Sequence, residues 1–234
     1  MVLGQENSMS NVDDIVAEDL SGPATALADT DGGENSKRRQ ILQGAREVFL
    51  SRGFDGASMG EIAKASGVSK GTLYVYFDSK DKLFEVLTIE EKKTLAEVLF
   101  KLDPENPDVR AELAALGASF LKHMAEPSHI SSIRMVIGAA EKFPRIGQTF
   151  YEAGPQTGIE RLGAYLARQA EAGRLTIPDP NVAAGHFLAL CQAESMKRLL
   201  FAVDTKLDPA DIEPRVTEAL RIFFLAYGPN VSAS

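Results

Sequence analysis

The stretch Val68–Phe77, VSKGTLYVYF, concentrates residue types that suit contact with a nucleic acid. Wound as a helix at about 100° per residue, it sends Leu73 and Phe77 to one side together with Val68. The opposite side centres on Val75, flanked by Gly71 and Thr72, and Tyr74 and Tyr76 project to the two flanks. Three aromatics within four residues cannot all face one way on a helix, so at least one tyrosine is exposed. A rod anchored along one side and bare along the other suits the major groove of duplex DNA. Thr72 and Val75 offer methyl contacts to thymine, and Thr72 can also hydrogen-bond a base edge. The hydroxyls of Tyr74 and Tyr76 suit phosphates. Gly71 costs about 1 kcal/mol relative to alanine inside a helix, which fits a close backbone approach. Lys70 and Lys80 add charge where helix-start N–H groups already favour anions. Ser58 and Ser69 stand at helix starts, and Lys37, Arg38 and Arg39 are within reach of phosphates or the adjacent minor groove.

The elements around this stretch are readable from periodicity and caps. Ile41, Leu42, Ala45, Val48 and Phe49 form one apolar stripe on a first helix from about Ser36 to Arg52. Gly53 follows at a position that tolerates positive φ. Ser58-Met59-Gly60-Glu61 reads as a capping box that opens a second helix ending near Ala65, with Ile62 and Ala63 facing inward. Gly67 makes the turn, and Ser69 caps the third helix. Two short helices joined by a glycine turn behind a supporting helix make a helix-turn-helix, at about residues 59–78. Beyond it the sequence predicts a fourth helix to roughly Lys101, then helices over 108–125, 128–141, 145–172, 180–203 and 209–227. Proline and glycine punctuate them, with weak points at Gly154-Pro155 and Gly158. The expected fold class is all-α with about nine helices.

The order Ile41-Leu42, Ala45, Phe49, Gly53-Phe54, Ser58, Ile62-Ala63, Gly67-Val68-Ser69-Lys70-Gly71-Thr72-Leu73-Tyr74, Tyr76-Phe77, Ser79-Lys80, Leu83 resembles the DNA-binding domain of the TetR family. That resemblance covers residues 36 to about 96. It implies a dimeric repressor with Lys70, Gly71, Thr72, Tyr74, Tyr76 and Lys80 at the DNA. Ala139–Pro144, Phe150–Pro155, Gly173-Arg174-Leu175, Asp179-Pro180 and Phe223, Ala226-Tyr227-Gly228 are similar to the AefR-like regulatory domain. This second resemblance implies an effector pocket and a dimer interface but no particular ligand. The expected domains are a disordered acidic tail (1–35), the DNA-binding domain (36–96), an effector-binding and dimerisation domain (97–228) and a short disordered tail (229–234).

Charge is distributed to match. The chain of 234 residues carries a net charge of −8. Residues 1–35 hold eight acidic side chains and no basic one, which leaves 25 acidic and 25 basic residues in the remainder. Within that remainder, residues 36–82 hold nine Lys and Arg against five Asp and Glu. A basic module therefore lies between an acidic tail and a mildly acidic body.

Aliphatic and aromatic residues on the later helices, interrupted by single polar ones, are candidates for the effector cavity: Phe120, His123, Met124, Met135, Tyr151, Cys191 and Gln192. Stripes on the last two helices are the candidate dimer face: Phe187, Leu190 and Leu199, then Val216, Leu220, Phe223, Phe224 and Tyr227. The partners expected are double-stranded DNA, a second copy of the chain and a small apolar effector. The residues give no sign of a cofactor. His123, His129 and His186 do not show metal-ligand spacing, so no metal site is expected. A phosphate loop and a nucleophile elbow are absent too, which argues against an enzyme. A single cysteine, no visible signal peptide and no long apolar run make cytoplasmic the default location. An architectural DNA binder without an effector is the other alternative, but it would not need the large helical body.

Overall fold

The computed structural model describes residues 30–99 and 101–229, with the side chains of 34–93, 96 and 101–229. The chain divides into two units, Met1–Lys37 and Arg38–Ser234. Of the first, the described residues are helical. Residues 30–35, expected in the tail, therefore belong to a helix. Once nucleated, a helix can extend backward by single residues without a new nucleation step. The rest of the expected acidic tail, like residues 230–234, lies outside the described residues.

The elements are α1 (Thr30–Gly56), α2 (Met59–Ala65), α3 (Lys70–Tyr76), α4 (Lys80–Leu99), α5 (Val109–Met124), α6 (Pro127–Ala140), α7 (Pro144–Tyr151), a π turn (Glu152–Gln156), α8 (Thr157–Glu171), α9 (Pro180–Leu200), a short 3-10 turn (Pro209–Asp211) and α10 (Ile212–Tyr227). All regular structure among the described residues is helical. Counting the segment 144–171 as one interrupted helix gives the expected nine. The interruption falls at Pro155, inside the π turn. Proline has no N–H to donate and its ring crowds the preceding carbonyl, so the helix widens there instead of breaking. From the sequence alone, Pro127 and Pro144 read as helix stops. Each instead opens the next helix, where the missing N–H would be unpaired anyway. Pro214 likewise lies in the first turn of α10. Helix α9 is kinked at Ala193 (φ 32°, ψ −129°), which no residue type there announces.

Two apolar cores organise the second unit. The first gathers Ile41, Ala45 and Phe49 of α1, Ile62 of α2, Leu73 of α3, Phe77, and Leu83, Phe84 and Leu87 of α4. It also draws on Val136, Ala139 and Ile146 from α6 and α7, beyond the boundary expected near residue 96. The second joins α5, α8, α9 and α10 around Leu113, Phe120, Leu162, Phe187 and Phe223.

The helix-turn-helix sits on α1 through a close approach. Ser66, buried in the turn, donates from its hydroxyl to the carbonyl of Ile41 at 3.3 Å. The Gln40 side-chain amide donates to the carbonyl of Ser66 at 2.6 Å. Gly44 faces this turn. A Cβ there would lie 2.3 Å from Ser66 Oγ and 2.6 Å from its backbone nitrogen, and the backbone cannot yield. We therefore expect Gly44→Ala to lower stability by roughly 1–3 kcal/mol despite alanine's better helix propensity. Urea unfolding checks this. A midpoint at or above that of the wild type would mean the approach is looser than described.

Candidate DNA-binding face and ligand cavity

The face of α3 is set up by its caps. Ser58 accepts from the backbone N–H of Glu61 at 3.2 Å while Glu61 Oε2 accepts from the Ser58 N–H at 3.1 Å, which completes the capping box. Gly67 has φ +63° and turns the chain. Ser69 Oγ accepts from the Thr72 N–H at 3.0 Å and lies 2.8 Å from Thr72 Oγ1. Leu73 and Phe77 are buried, whereas Val75 is 81% exposed and Tyr74 51% exposed. A valine left so bare on a well-anchored helix has no folding reason to be there. Ser69, Lys70 and Gly71 are exposed beside it, and Thr72 is half-buried. Lys70 folds its stem over Gly60, where a Cβ would come within 2.9 Å of its Cε. Tyr76 is half-buried and packs against the first core.

Other expected contact residues have different partners. Lys80 does not project outward. Its ammonium donates to the carbonyls of Phe54 (2.7 Å), Ala57 (3.0 Å) and Asp55 (3.3 Å) and sits 4.4 Å from the centre of the Phe54 ring. Three donors meet three carbonyls, so Lys80 ties the end of α1 to the start of α4. Arg38 forms an ion pair with Glu90 and lies over the Phe77 ring. Arg39 is exposed, and Lys37 falls in the first unit.

A cavity of roughly 420 Å³ opens among α4, α5, α6, the π turn, α8 and α9. Three of the candidate cavity residues, Phe120, Met124 and Gln192, line it. The other four candidates lie elsewhere. Met135 packs against the first core, and Tyr151 is exposed. His123 faces an adjoining groove, also lined by Lys92 and His129, and pairs with Glu126 at 3.6 Å. Cys191 is fully buried among the second core, against Gly117, and burial pushes its thiol up to about 12, so it is neutral and inert.

The polar end of this cavity is not evident from the sequence. Lys92 lines it and is only 7% exposed. Its stem runs along Gly154 of the π turn, where a Cβ would come 3.3 Å from Lys92 Cδ. Its ammonium lies 4.2 Å from the centre of the Phe150 ring and 3.3 Å from His129 Nδ1. Burial lowers Lys92 from its ordinary 10.5 to about 8, against a smaller upward pull from Glu91. His129 is pushed down to about 3, by burial first and then by Lys92 and His123. At neutral pH an ammonium therefore donates to a neutral imidazole. Nδ1 is then the acceptor and Nε2 carries the proton. That buried Nε2 has no hydrogen-bond partner. Lys92 was hidden within the run Glu90-Glu91-Lys92-Lys93, which reads as a solvated face. Its position four residues before Ala96, on the same side of an amphipathic helix, was the available signal.

The candidate dimer residues are also placed differently from the expectation. Phe187, Leu199, Val216, Leu220 and Phe223 are buried within the chain itself, and Leu190, Phe224 and Tyr227 are half-buried against the same second core. The stripes face α5 and each other because a single chain of this size needs them for its own core. The apolar residues that α10 leaves outside are Ile222 and Leu225, the latter 74% exposed.

Comparison with known proteins agrees with this architecture. Residues 41–87 match the profile of bacterial regulatory proteins of the tetR family, and residues 111–229 match that of the AefR-like transcriptional repressor C-terminal domain. The chain belongs to the TetR family of regulators, in the branch with an AefR-like C-terminal domain. It is 36% identical over 64 residues to the HTH-type transcriptional repressor AcnR of Corynebacterium efficiens, covering 27% of this chain and 34% of that protein. With the regulator QacR of Staphylococcus aureus it shares 47% identity over 55 residues, or 23% of this chain and 29% of that one. These curated relatives are thus matched over about a third of their length. Two solved structures match far more widely. The flavonoid-responsive regulator FrrA superposes with a TM-score of 0.73 at 30% identity, covering 84% of this chain and all of that one (100%). A TetR-family regulator from Mesorhizobium loti gives a TM-score of 0.77 at 24% identity over 83% of this chain and 98% of that one.

The buried ammonium has a consequence for stability. Lys92 binds its proton less tightly in the folded protein than in the unfolded chain. Stability therefore rises with pH between about 8 and 10.5 through this group. The difference in unfolding free energy between wild type and Lys92→Met is expected to shift in favour of wild type across that window, by on the order of 3 kcal/mol. Chemical denaturation of both at a series of pH values measures it, and a pH-independent difference contradicts the assignment.

Proposed function

We propose that the protein is a DNA-binding transcriptional repressor that grips a palindromic operator as a homodimer and is released by a small effector held in the cavity. The observation that carries this reading is the bare outer side of α3, with Val75 81% exposed on a helix pinned by Leu73 and Phe77. Thr72, Val75 and Tyr74 read or touch the major groove, and Lys70 and the caps at Ser58 and Ser69 meet phosphate. Lys80 acts from behind, by fixing the connection on which α2 and α3 rest. The dimer uses the outer faces of α9 and α10, where Ile222 and Leu225 remain exposed, and its two-fold axis matches a two-fold operator.

The cavity supports the effector half of the proposal. Phe150 lines it and also packs against the first core, so one side chain touches both compartments. A ligand that favours one packing of α4 against α7 shifts the population of α3 positions, by as much as its affinity differs between the two states. The similarity to a regulator described as flavonoid-responsive fits a small-molecule input.

Fluorescence anisotropy with duplex DNA from the promoter of the protein's own gene tests the reading. Lys70→Ala is expected to weaken binding to all sequences alike and to lower the salt slope by about one. Val75→Ala is expected to change the preference among operator variants by roughly 1–3 kcal/mol with stability unchanged. Equal affinity of the wild type for promoter and random duplex would leave only an architectural role.

A further inference from the structure

We infer that the cavity takes an organic anion, an apolar molecule whose carboxylate or phenolate oxygen sits on the Lys92 ammonium. The inference rests on the effector reading above and specifies its chemistry. Lys92 and His129 are 7% and 8% exposed, and both line the cavity. The ammonium has three protons, and one reaches His129 Nδ1 at 3.3 Å. Among the described residues no carboxylate forms an ion pair with it. The acidic groups nearby are engaged elsewhere: Glu91 pairs with Arg46 at 2.8 Å, Glu90 with Arg38, and Glu126 with His123 at 3.6 Å.

The remaining lining argues for the body of the ligand. Phe120, Met124, Leu188 and Met196 are apolar, and among the described residues the only polar lining side chain beyond Lys92 and His129 is that of Gln192. A buried cation in such surroundings lacks its counter-charge, and a buried imidazole N–H lacks an acceptor. An anionic oxygen on the ligand supplies the counter-charge. The Phe150 ring holds the ammonium in place meanwhile, at 4.2 Å. A lysine serving only the fold would have been given an acidic partner or left at the surface.

Isothermal titration with two matched pairs tests this on the full chain. Octanoate is set against octan-1-ol, and 4-phenylphenol against 4-methoxybiphenyl. Wild type is expected to bind at least one acidic member roughly tenfold more tightly than its neutral twin, as a charge-assisted hydrogen bond in a dry site implies. The pair that shows the preference identifies the carboxylate or the phenolate. Lys92→Met is expected to lose the preference while still binding the neutral twin, and Lys93→Met, altered at an exposed neighbour, to keep it. Lys92→Leu replaces Lys92→Met should the latter fail to fold. Equal affinity within both pairs, or a preference retained without Lys92, overturns the inference. Where neutral probes bind and displace DNA without any acidic preference, the effector reading stands and the inference falls. Where no probe binds a protein that still holds DNA, both fall.

Discussion

Leu73 and Phe77 hold α3 by one side only, and the rest of the molecule follows from what they are pressed against. Their core is not confined to the helix-turn-helix. It takes Leu83, Phe84 and Leu87 from α4, and Val136, Ala139 and Ile146 from α6 and α7. The ring of Phe54 at the end of α1 meets Phe49, Phe84 and Phe143 at 5.8, 5.4 and 5.1 Å between centroids. Lys142 pairs with Asp55 beside it at 2.6 Å. Helix α3 is thus seated on elements that also line the cavity, and any repacking of those elements is felt at α3.

Helix α4 is the shared member. Its first half is buried in the N-terminal core, and its second half brings Lys92 and Ala96 to the cavity. Phe150 completes the bridge, with its ring beneath the Lys92 ammonium and packed against the first core. On this account, neutralising Lys92 is the event that couples the compartments. An ammonium without a counter-ion leans on an aromatic ring and an imidazole, and one with a counter-ion need not. The energy available to move α3 is the difference between those two arrangements, not the whole binding energy of the ligand.

The DNA-binding part was legible residue by residue, because local rules decide it. The Ser58–Glu61 capping box, the positive φ of Gly67, the Ser69 cap and the split between Leu73 and Val75 follow from spacing and side-chain chemistry alone. The cavity was only partly legible. Phe120, Met124 and Gln192 were found from helical periodicity, but Lys92 lay inside a charge run and His129 had no partner in sequence. Both acquire meaning only when the π turn at Gly154-Pro155 makes room for the lysine stem. The apolar stripes of α9 and α10 looked free because periodicity tells which residues share a face, not whether the chain itself covers that face. Phe187 and Phe223 meet each other at 5.5 Å. The prolines at 127 and 144 were ambiguous for a similar reason, since the same residue closes one helix and opens another.

Because Cys191 is buried with its thiol pushed up to about 12, a cysteine placed at an exposed site becomes the reactive thiol of the protein. The most direct test of the central claim is the maleimide alkylation rate of Val75→Cys with and without saturating promoter duplex, beside Glu171→Cys at the exposed end of α8. The account predicts that DNA slows the reaction at position 75 by roughly tenfold or more and leaves position 171 unchanged. An unchanged rate at position 75 while the protein holds the duplex would contradict it.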